Sequence, residues 1–341
     1  GDPRGELAAI QLKLATAPGD KKLKQAEKHV FARHADRLLG KLAAVQDLVR
    51  LEWRAGFMHT ARVANSIDRS ELYDGEKEPL DIEKLVGSVL DDPGARFLRE
   101  LVVGIVTYED NSYAGIAKLL GKRYLPALRS LYLGDFDGDE TELSWSELGN
   151  LQPIYAAAPN LRRLKLRSGS MTLGAIVLPH LEELEVLTGG LDPKAAKAIA
   201  SGRWPGLRRL SIQVGSPRYG GTAKASVFQP ILDGVGLPRL EHLGLANLEF
   251  TDPLVELLAH AKILPQLSSV DLEMGTMSDE GARLFYRYQK AFRHLKTIAV
   301  GDNYVTGDGV KLLKSTKLRF DLGEQRDDEG AASNRYAAVA E

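Results

Sequence analysis

Asp135-Phe-Asp137-Gly-Asp139-Glu-Thr-Glu142 places carboxylates at alternate positions, the spacing with which a helix–loop–helix calcium site begins. The match fails at two positions. The sixth residue is Glu140 where glycine makes the sharp turn, and the twelfth is Ser146 where a bidentate glutamate closes the cage. The stretch reads as an acidic insertion loop. Gly215-Ser-Pro-Arg218-Tyr-Gly220-Gly221-Thr222-Ala-Lys224 gathers glycines and two cations, but it lacks the Gly-Lys-Ser/Thr order of a phosphate loop. It reads as a flexible insertion whose Arg218 is a candidate contact, since long loops often carry function. His29, His34, His59, His180, His242, His260 and His294 show no metal-ligand spacing, and no serine sits in a nucleophile elbow. Cysteine is absent, which excludes disulfides, thiolate catalysis and cysteine-ligated zinc. The expectation is a chain that is not an enzyme, with no metal, no cofactor and no small-molecule substrate.

What remains is recognition by a surface, and one repeating pattern arranges it. The hexad Leu-x-x-Leu-x-Leu begins at Leu128, Leu161, Leu181, Leu207, Leu240, Leu267 and Leu295, with Val or Ile at some of its later positions. The starts are 33, 20, 26, 33, 27 and 28 residues apart. Repetition at this period is that of a leucine-rich-repeat solenoid, in which no unit can bury its apolar face alone. Within Leu-x-Leu the side chains alternate, so the leucines face a common core and the residue between them faces out. Strands stacked in parallel, about 4.8 Å apart, then form one curved sheet with helices on the convex side. The fold class is α/β, with about ten parallel strands.

The outward positions of the concave face fall into rows. Second positions give Arg162, Glu182, Arg208 and Glu241; third positions give Arg163, Glu183, Arg209 and His242. Fifth positions give Lys165, Glu185, Ser211, Gly244 and Asp271, with Tyr132 beside Lys165 as a candidate aromatic anchor. Charge alternates from strand to strand. Opposite charges on neighbouring strands contribute about 0.2–1 kcal/mol per pair, so one reading is a ladder that neutralises itself and sets the sheet. The other is a polar recognition surface for a protein, which tolerates a charge mosaic. Nucleic acid, which needs an uninterrupted positive stripe, fits this face poorly.

Convex helices are marked by their starts. Asp192-Pro193 opens Lys194–Ala200, and Thr251-Asp252-Pro253 opens Leu254–Ala261 in the same way. Ser278 precedes a helix over Asp279–Phe292. The interval of 20 residues after Leu161 leaves no room for a helix, so Met171–Leu178 is expected to cross as extended chain. Asn303 stands where repeat asparagines bond backbone groups at the turn.

Ahead of the hexads, residues 5–50 read as two helices separated by Pro18-Gly19-Asp20. Ten Lys/Arg against five acids lie between Lys13 and Arg54, which reads as a solvated helical face or as a basic docking surface. Phe57-Met-His59-Thr-Ala61-Arg-Val63 is a first strand, Ser66–Glu78 a polar loop, Leu80–Leu90 a short helix, and Leu98-Arg-Glu-Leu101-Val-Val103 a degenerate hexad. Gly323–Asn334 is charged and rich in glycine and alanine, the composition of a mobile tail, and Arg335–Val339 is a candidate closing strand.

Lys plus Arg number 45 and Asp plus Glu 46, so net charge gives no pull toward nucleic acid or an anionic membrane. No apolar run reaches 18 residues, so no membrane span is expected. No signal peptide is visible, and a start at Gly1 without methionine reads as a truncated beginning. The lack of cysteine favours the cytoplasm.

Gly1-Asp2-Pro3-Arg4-Gly5-Glu6-Leu7 resembles the end of the repeat-companion domain that precedes leucine-rich repeats in some bacterial proteins. Trp53-Arg54-Ala55-Gly56-Phe57 is similar to that family's link into the first repeat, and Arg335-Tyr336-Ala-Ala-Val339-Ala-Glu341 to its C-terminal ending. The resemblance implies an uncharacterised bacterial repeat scaffold, with most of the companion domain missing and no catalytic residues to transfer. The division is then 1–52 as helical cap and end of the companion domain, 53–323 as solenoid and 324–341 as C-terminal tail. The expected function is a non-enzymatic scaffold binding a protein partner through the concave sheet and adjacent loops. The partner-binding residues are Tyr132, Arg162, Arg163, Lys165, Glu183, Glu185, Arg209, Arg218 and His242. The alternatives are a regulator of a partner enzyme such as a GTPase or kinase, and nucleic-acid binding through the basic N-terminal helices.

Overall fold

The computed structural model describes residues 1–65, 81–108 and 110–339. The loop expected over Ser66–Glu78, and Leu80 at the expected start of a helix, lie outside them. Two capped helices come first. In α1 (Pro3–Thr16) Asp2 accepts from the Arg4 amide, and in α2 (Lys21–Leu39) Asp20 accepts from the amides of Lys22 and Leu23. Each carboxylate satisfies amides that the first turn leaves without partners.

The expectation of parallel pairing throughout is corrected at the next element. β1 (Val49–Arg54) and β2 (Phe57–Val63) form an antiparallel hairpin, so the first strand crosses the division drawn at residues 52 and 53. The turn is Ala55-Gly56, with φ of 49° and 80°. Two positive φ values in a two-residue loop match the twist of the flanking strands, and an Ala-Gly pair is a faint signal for it. Helix α1 presses on this turn: a Cβ on Gly56 would meet the Arg4 carbonyl oxygen at 2.3 Å. Gln11 binds the three pieces, with its Oε1 accepting from the Gly56 amide at 2.8 Å. Its Nε2 donates to Glu27 Oε1 at 2.8 Å and to the Trp53 carbonyl at 3.1 Å.

From β2 onward the sheet is parallel. The strands are β3 (Glu100–Gly104), β5 (Ser130–Asp135), β7 (Arg163–Arg167), β9 (Glu183–Leu187), β10 (Arg209–Gln213), β11 (His242–Ala246), β12 (Ser269–Asp271), β13 (Thr297–Ala299) and β14 (Phe320–Asp321). They lie in chain order in one eleven-stranded sheet. A second parallel sheet of three strands, β4 (Asn111–Ser112), β6 (Ser146–Asn150) and β8 (Ser170–Thr172), occupies the return side of three repeats and has no sequence signal.

Strand side chains alternate between buried and exposed, so one face of the long sheet packs on the helices and the other stays open. Leu164, Leu184, Leu210 and Leu243 share the inward register, and each is at most 2% exposed. A single apolar cluster runs from Leu7 to Leu313 without a break into separate cores, the arrangement expected when each repeat buries its neighbour's face.

The short repeat crosses without a helix, as the interval demands. Its Ile176 carbonyl accepts from the buried Trp204 indole at 3.2 Å, so the next repeat holds the crossing in place. Asp192 caps the helix Pro193–Ala200 as expected. Asp252 does something different. The helix Thr251–Ala259 has no side-chain cap, and Asp252 reaches the next repeat instead. It accepts from the Ser278 amide at 2.9 Å, the Ser278 hydroxyl at 2.6 Å and the Gly281 amide at 3.0 Å. Asp279 repeats the arrangement on Thr306, at 2.9 and 2.8 Å. The helix after Ser278 ends at Arg287 and resumes over Gln289–Phe292.

In the C-terminal region Arg335–Val339 forms no strand. Residues 324–326 and 336–339 bond to the loops at the strand ends, beginning with the Asp302 amide on the Glu324 carbonyl at 2.7 Å, and residues 327–335 between them turn back on themselves through local bonds.

Candidate functional site

The open face carries the rows that the hexads imply. In the third-position row Ser130, Arg163, Glu183, Arg209, His242 and Ser269 stand side by side on successive strands. In the fifth-position row Tyr132, Lys165, Glu185, Ser211, Gly244 and Asp271 do the same. Tyr132, Lys165 and Glu185 form one chain of contacts across three strands. The Lys165 ammonium lies 4.8 Å from the Tyr132 ring centre and 3.1 Å from the Glu185 carboxylate. Burial pushes the Tyr132 phenol up to about 12, with Asp135 adding to it. Tyr132 therefore stays neutral and offers a hydroxyl and an aromatic face.

The second positions pair as Arg162–Glu182 and Arg208–Glu241. The third positions pair differently from their lateral order. Arg163 reaches over the short Ser130 to Glu100 on β3, at 2.6 Å, and leaves its neighbour Glu183. Two strand spacings, about 9.6 Å, are within the combined reach of arginine and glutamate over a serine. Glu183 and Arg209 are exposed, and among the described residues neither is in an ion pair within 4 Å. His242 is half-buried, with Nδ1 2.6 Å from the Ser269 hydroxyl. Burial lowers its pKa, and Arg209 beside it lowers it further, so the ring is neutral at pH 7.

Glu100, Ser269 and Arg62 belong to this face without having been singled out from the sequence, and Asp135, the first carboxylate of the acidic loop, is paired with Arg62 at 2.5 Å. Glu100 is the third residue of the degenerate hexad at Leu98, and extending the row by that one unit finds it. Arg218 is not on the face. It is exposed on the loop after β10, stacked 5.7 Å from the neighbouring Tyr219 ring. The glycines of that loop serve tight backbone packing, since a Cβ on Gly215 would meet the Gly189 carbonyl at 1.9 Å.

Beyond β11 the open face changes character. Ala299, Gly301 and Gly323 are small, and Asp271, Glu273, Asp302 and Asp321 are acidic, Asp302 being paired with Arg326 at 3.0 Å. Burial raises the pKa of Asp271, and burial together with Asp271, Asp321 and Asp302 raises that of Glu273. In the acidic loop, Asp137 Oδ1 accepts from the amides of Asp139 and Glu140, and Glu140 Oε2 from the amide of Asp137. Those oxygens close the loop on itself. Among the described residues no group of three or more His, Asp or Glu side chains is arranged to hold a metal, and no helix is long and apolar enough to cross a membrane.

No family model and no curated protein matches this sequence. Among solved structures, a protein from Bacteroides fragilis is similar with a TM-score of 0.69 and 24% identity, over 94% of this chain and 87% of that one. That likeness is one of fold. An internalin from Listeria monocytogenes aligns with a TM-score of 0.39 and 15% identity, over 68% of this chain and 56% of the internalin, too distant to carry an argument. The chain is a mixed α/β protein built on a long parallel sheet, consistent with a solenoid.

Proposed function

We propose that this chain is a non-enzymatic leucine-rich-repeat scaffold of the bacterial repeat-companion kind, working in the cytoplasm and binding a protein partner across the open face of its sheet. The observation that carries the reading is the centre of that face. Most of its ladder is self-paired, yet Glu183 and Arg209 stand adjacent, exposed and without ion pairs among the described residues. Self-paired charges around them give little energy but penalise a partner with mismatched charge. Tyr132, with its neutral hydroxyl beside Lys165, supplies an aromatic contact of the kind enriched in protein interfaces. Arg162, Arg163, Lys165, Glu185 and His242 frame this centre, and Arg218 extends the surface onto the loop after β10.

The test is affinity capture from lysate with the wild-type chain and with Arg209→Glu. A partner retained by the first and lost from the second, with unfolding midpoints equal, supports the reading. Equal retention by both moves the interface off the open face.

A further inference from the structure

Residues 335–339 run back along the loops at the strand ends, away from the open face. The Tyr336 amide donates to the Tyr304 hydroxyl at 3.3 Å, and the Ala338 amide to the Met274 carbonyl at 2.9 Å. The Val339 amide donates to Asn247 Oδ1 at 2.9 Å, and Asn247 Nδ2 donates to the Val339 carbonyl at 2.5 Å. Asn247 thus holds both polar groups of one residue's backbone, as a neighbouring strand does. Asn247 and Met274 stand two residues beyond the inward Leu245 and Leu272 of successive repeats, with φ of 56° and 61°. Asparagine tolerates that conformation better than most residues.

The side chains of the segment are read as well as its main chain: the Tyr336 ring lies 6.5 Å from that of Tyr304, and Val339 packs against the apolar core. Ala337 is 1% exposed and must be small, while Tyr336 is 59% exposed, its ring 5.4 Å from the Arg326 guanidinium. Asn247 is fully buried, and both of its amide atoms are engaged with the segment's main chain. A buried amide left without partners is costly, so this site needs an extended peptide backbone in it. It does not need this particular one.

We propose that Asn247, Met274 and Tyr304 form a binding site for an extended peptide segment of a partner protein, with residues 335–339 seated in it as an intramolecular occupant. The partner's segment carries an aromatic residue beside Arg326 and a small residue in the place of Ala337. A tethered occupant competes at an effective concentration of order millimolar, so the partner gains access when the chain's own segment is displaced. The site is separate from the open face, and neither assignment depends on the other.

The test uses the 341-residue chain carrying Ala337→Arg, which cannot seat its own segment, and a labelled peptide of residues 334–339 with blocked ends. Thermal unfolding confirms that each variant is folded. The peptide is expected to bind this variant at least tenfold more tightly than the wild-type chain. Adding Asn247→Gly, which keeps the positive φ and removes the amide, is expected to weaken that binding at least tenfold. No binding to the folded Ala337→Arg chain, or equal binding with and without the Asn247 amide, overturns the proposal. Concentration-dependent dimers of the wild-type chain that the peptide dissolves would assign the segment to a second copy and overturn the assignment to a partner.

Discussion

The open face has two halves that hold their charges in opposite ways. From β3 to β11 most charges are paired, as in Arg163–Glu100, Lys165–Glu185, Arg162–Glu182 and Arg208–Glu241, while Arg129, Arg167, Glu183 and Arg209 are in no ion pair among the described residues. From β12 to β14 the same face shows Asp271, Asp321 and small residues, and carboxyl groups press on one another. The halves share one sheet and one apolar core, so the difference in charge lies on the surface. A paired face discriminates among partners at little energetic cost, whereas the acidic half spends folding energy on burying Asp271 and Glu273, although Asp302 is paired with Arg326 at 3.0 Å. In the second half the repeats are locked from behind, by Asp252 and Asp279 reaching across to the next helix.

Three substitutions sharpen this contrast. Leu210→Ala, in the core common to both halves, is expected to cost about 2–5 kcal/mol in chemical denaturation. A loss below about half a kcal/mol would mean that the core is not shared through β10, since large-to-small changes at buried sites cost far more. Asp252→Ala removes three hydrogen bonds to a charged acceptor and is expected to cost about 2–3 kcal/mol. A loss no larger than that of an exposed ion pair, about 0–1 kcal/mol, would contradict the lock between repeats.

Asp271→Asn has the smallest effect and the opposite sign. A carboxyl whose pKa is raised on folding contributes favourably below its ordinary value of 3.8, and that contribution is lost as pH rises through the folded value. At pH 7 the charged Asp271 is therefore a cost. Asparagine keeps the oxygen that accepts from the Glu273 amide at 2.9 Å. The variant should melt at a higher temperature than wild type at pH 7, and the gap should close as pH falls below about 4. A lower melting temperature at pH 7 would show that the acidic half is not under strain.

The inward leucines and the lateral rows were legible because parallel strands repeat one register, and a hexad states that register directly. The choice of ion-pair partners was not. Arg163 passes Glu183 for Glu100 because Ser130 is short enough to reach across, which depends on three strands at once. Asp252 was readable as a helix start and not as a lock, because its donors lie 26 to 29 residues further along the chain. The first hairpin hid behind an Ala-Gly turn that lacks the usual Asn-Gly or Asp-Gly. Arg335–Val339 read as a closing strand because the sequence shows a short apolar run and is silent about the buried Asn247 amide that holds its main chain instead.

If the unpaired centre of the open face binds the partner, as proposed, Glu183 is the position at which binding and stability separate. Glu183→Arg places three arginines in a row, between Arg163 and Arg209, on an exposed surface. Water and salt screen such a face, so the unfolding free energy should change by about 1 kcal/mol or less. Affinity for the captured partner should fall by about 2 kcal/mol or more, roughly thirtyfold in Kd. An unchanged Kd with an unchanged unfolding midpoint would make Glu183 an ordinary surface charge and contradict the claim.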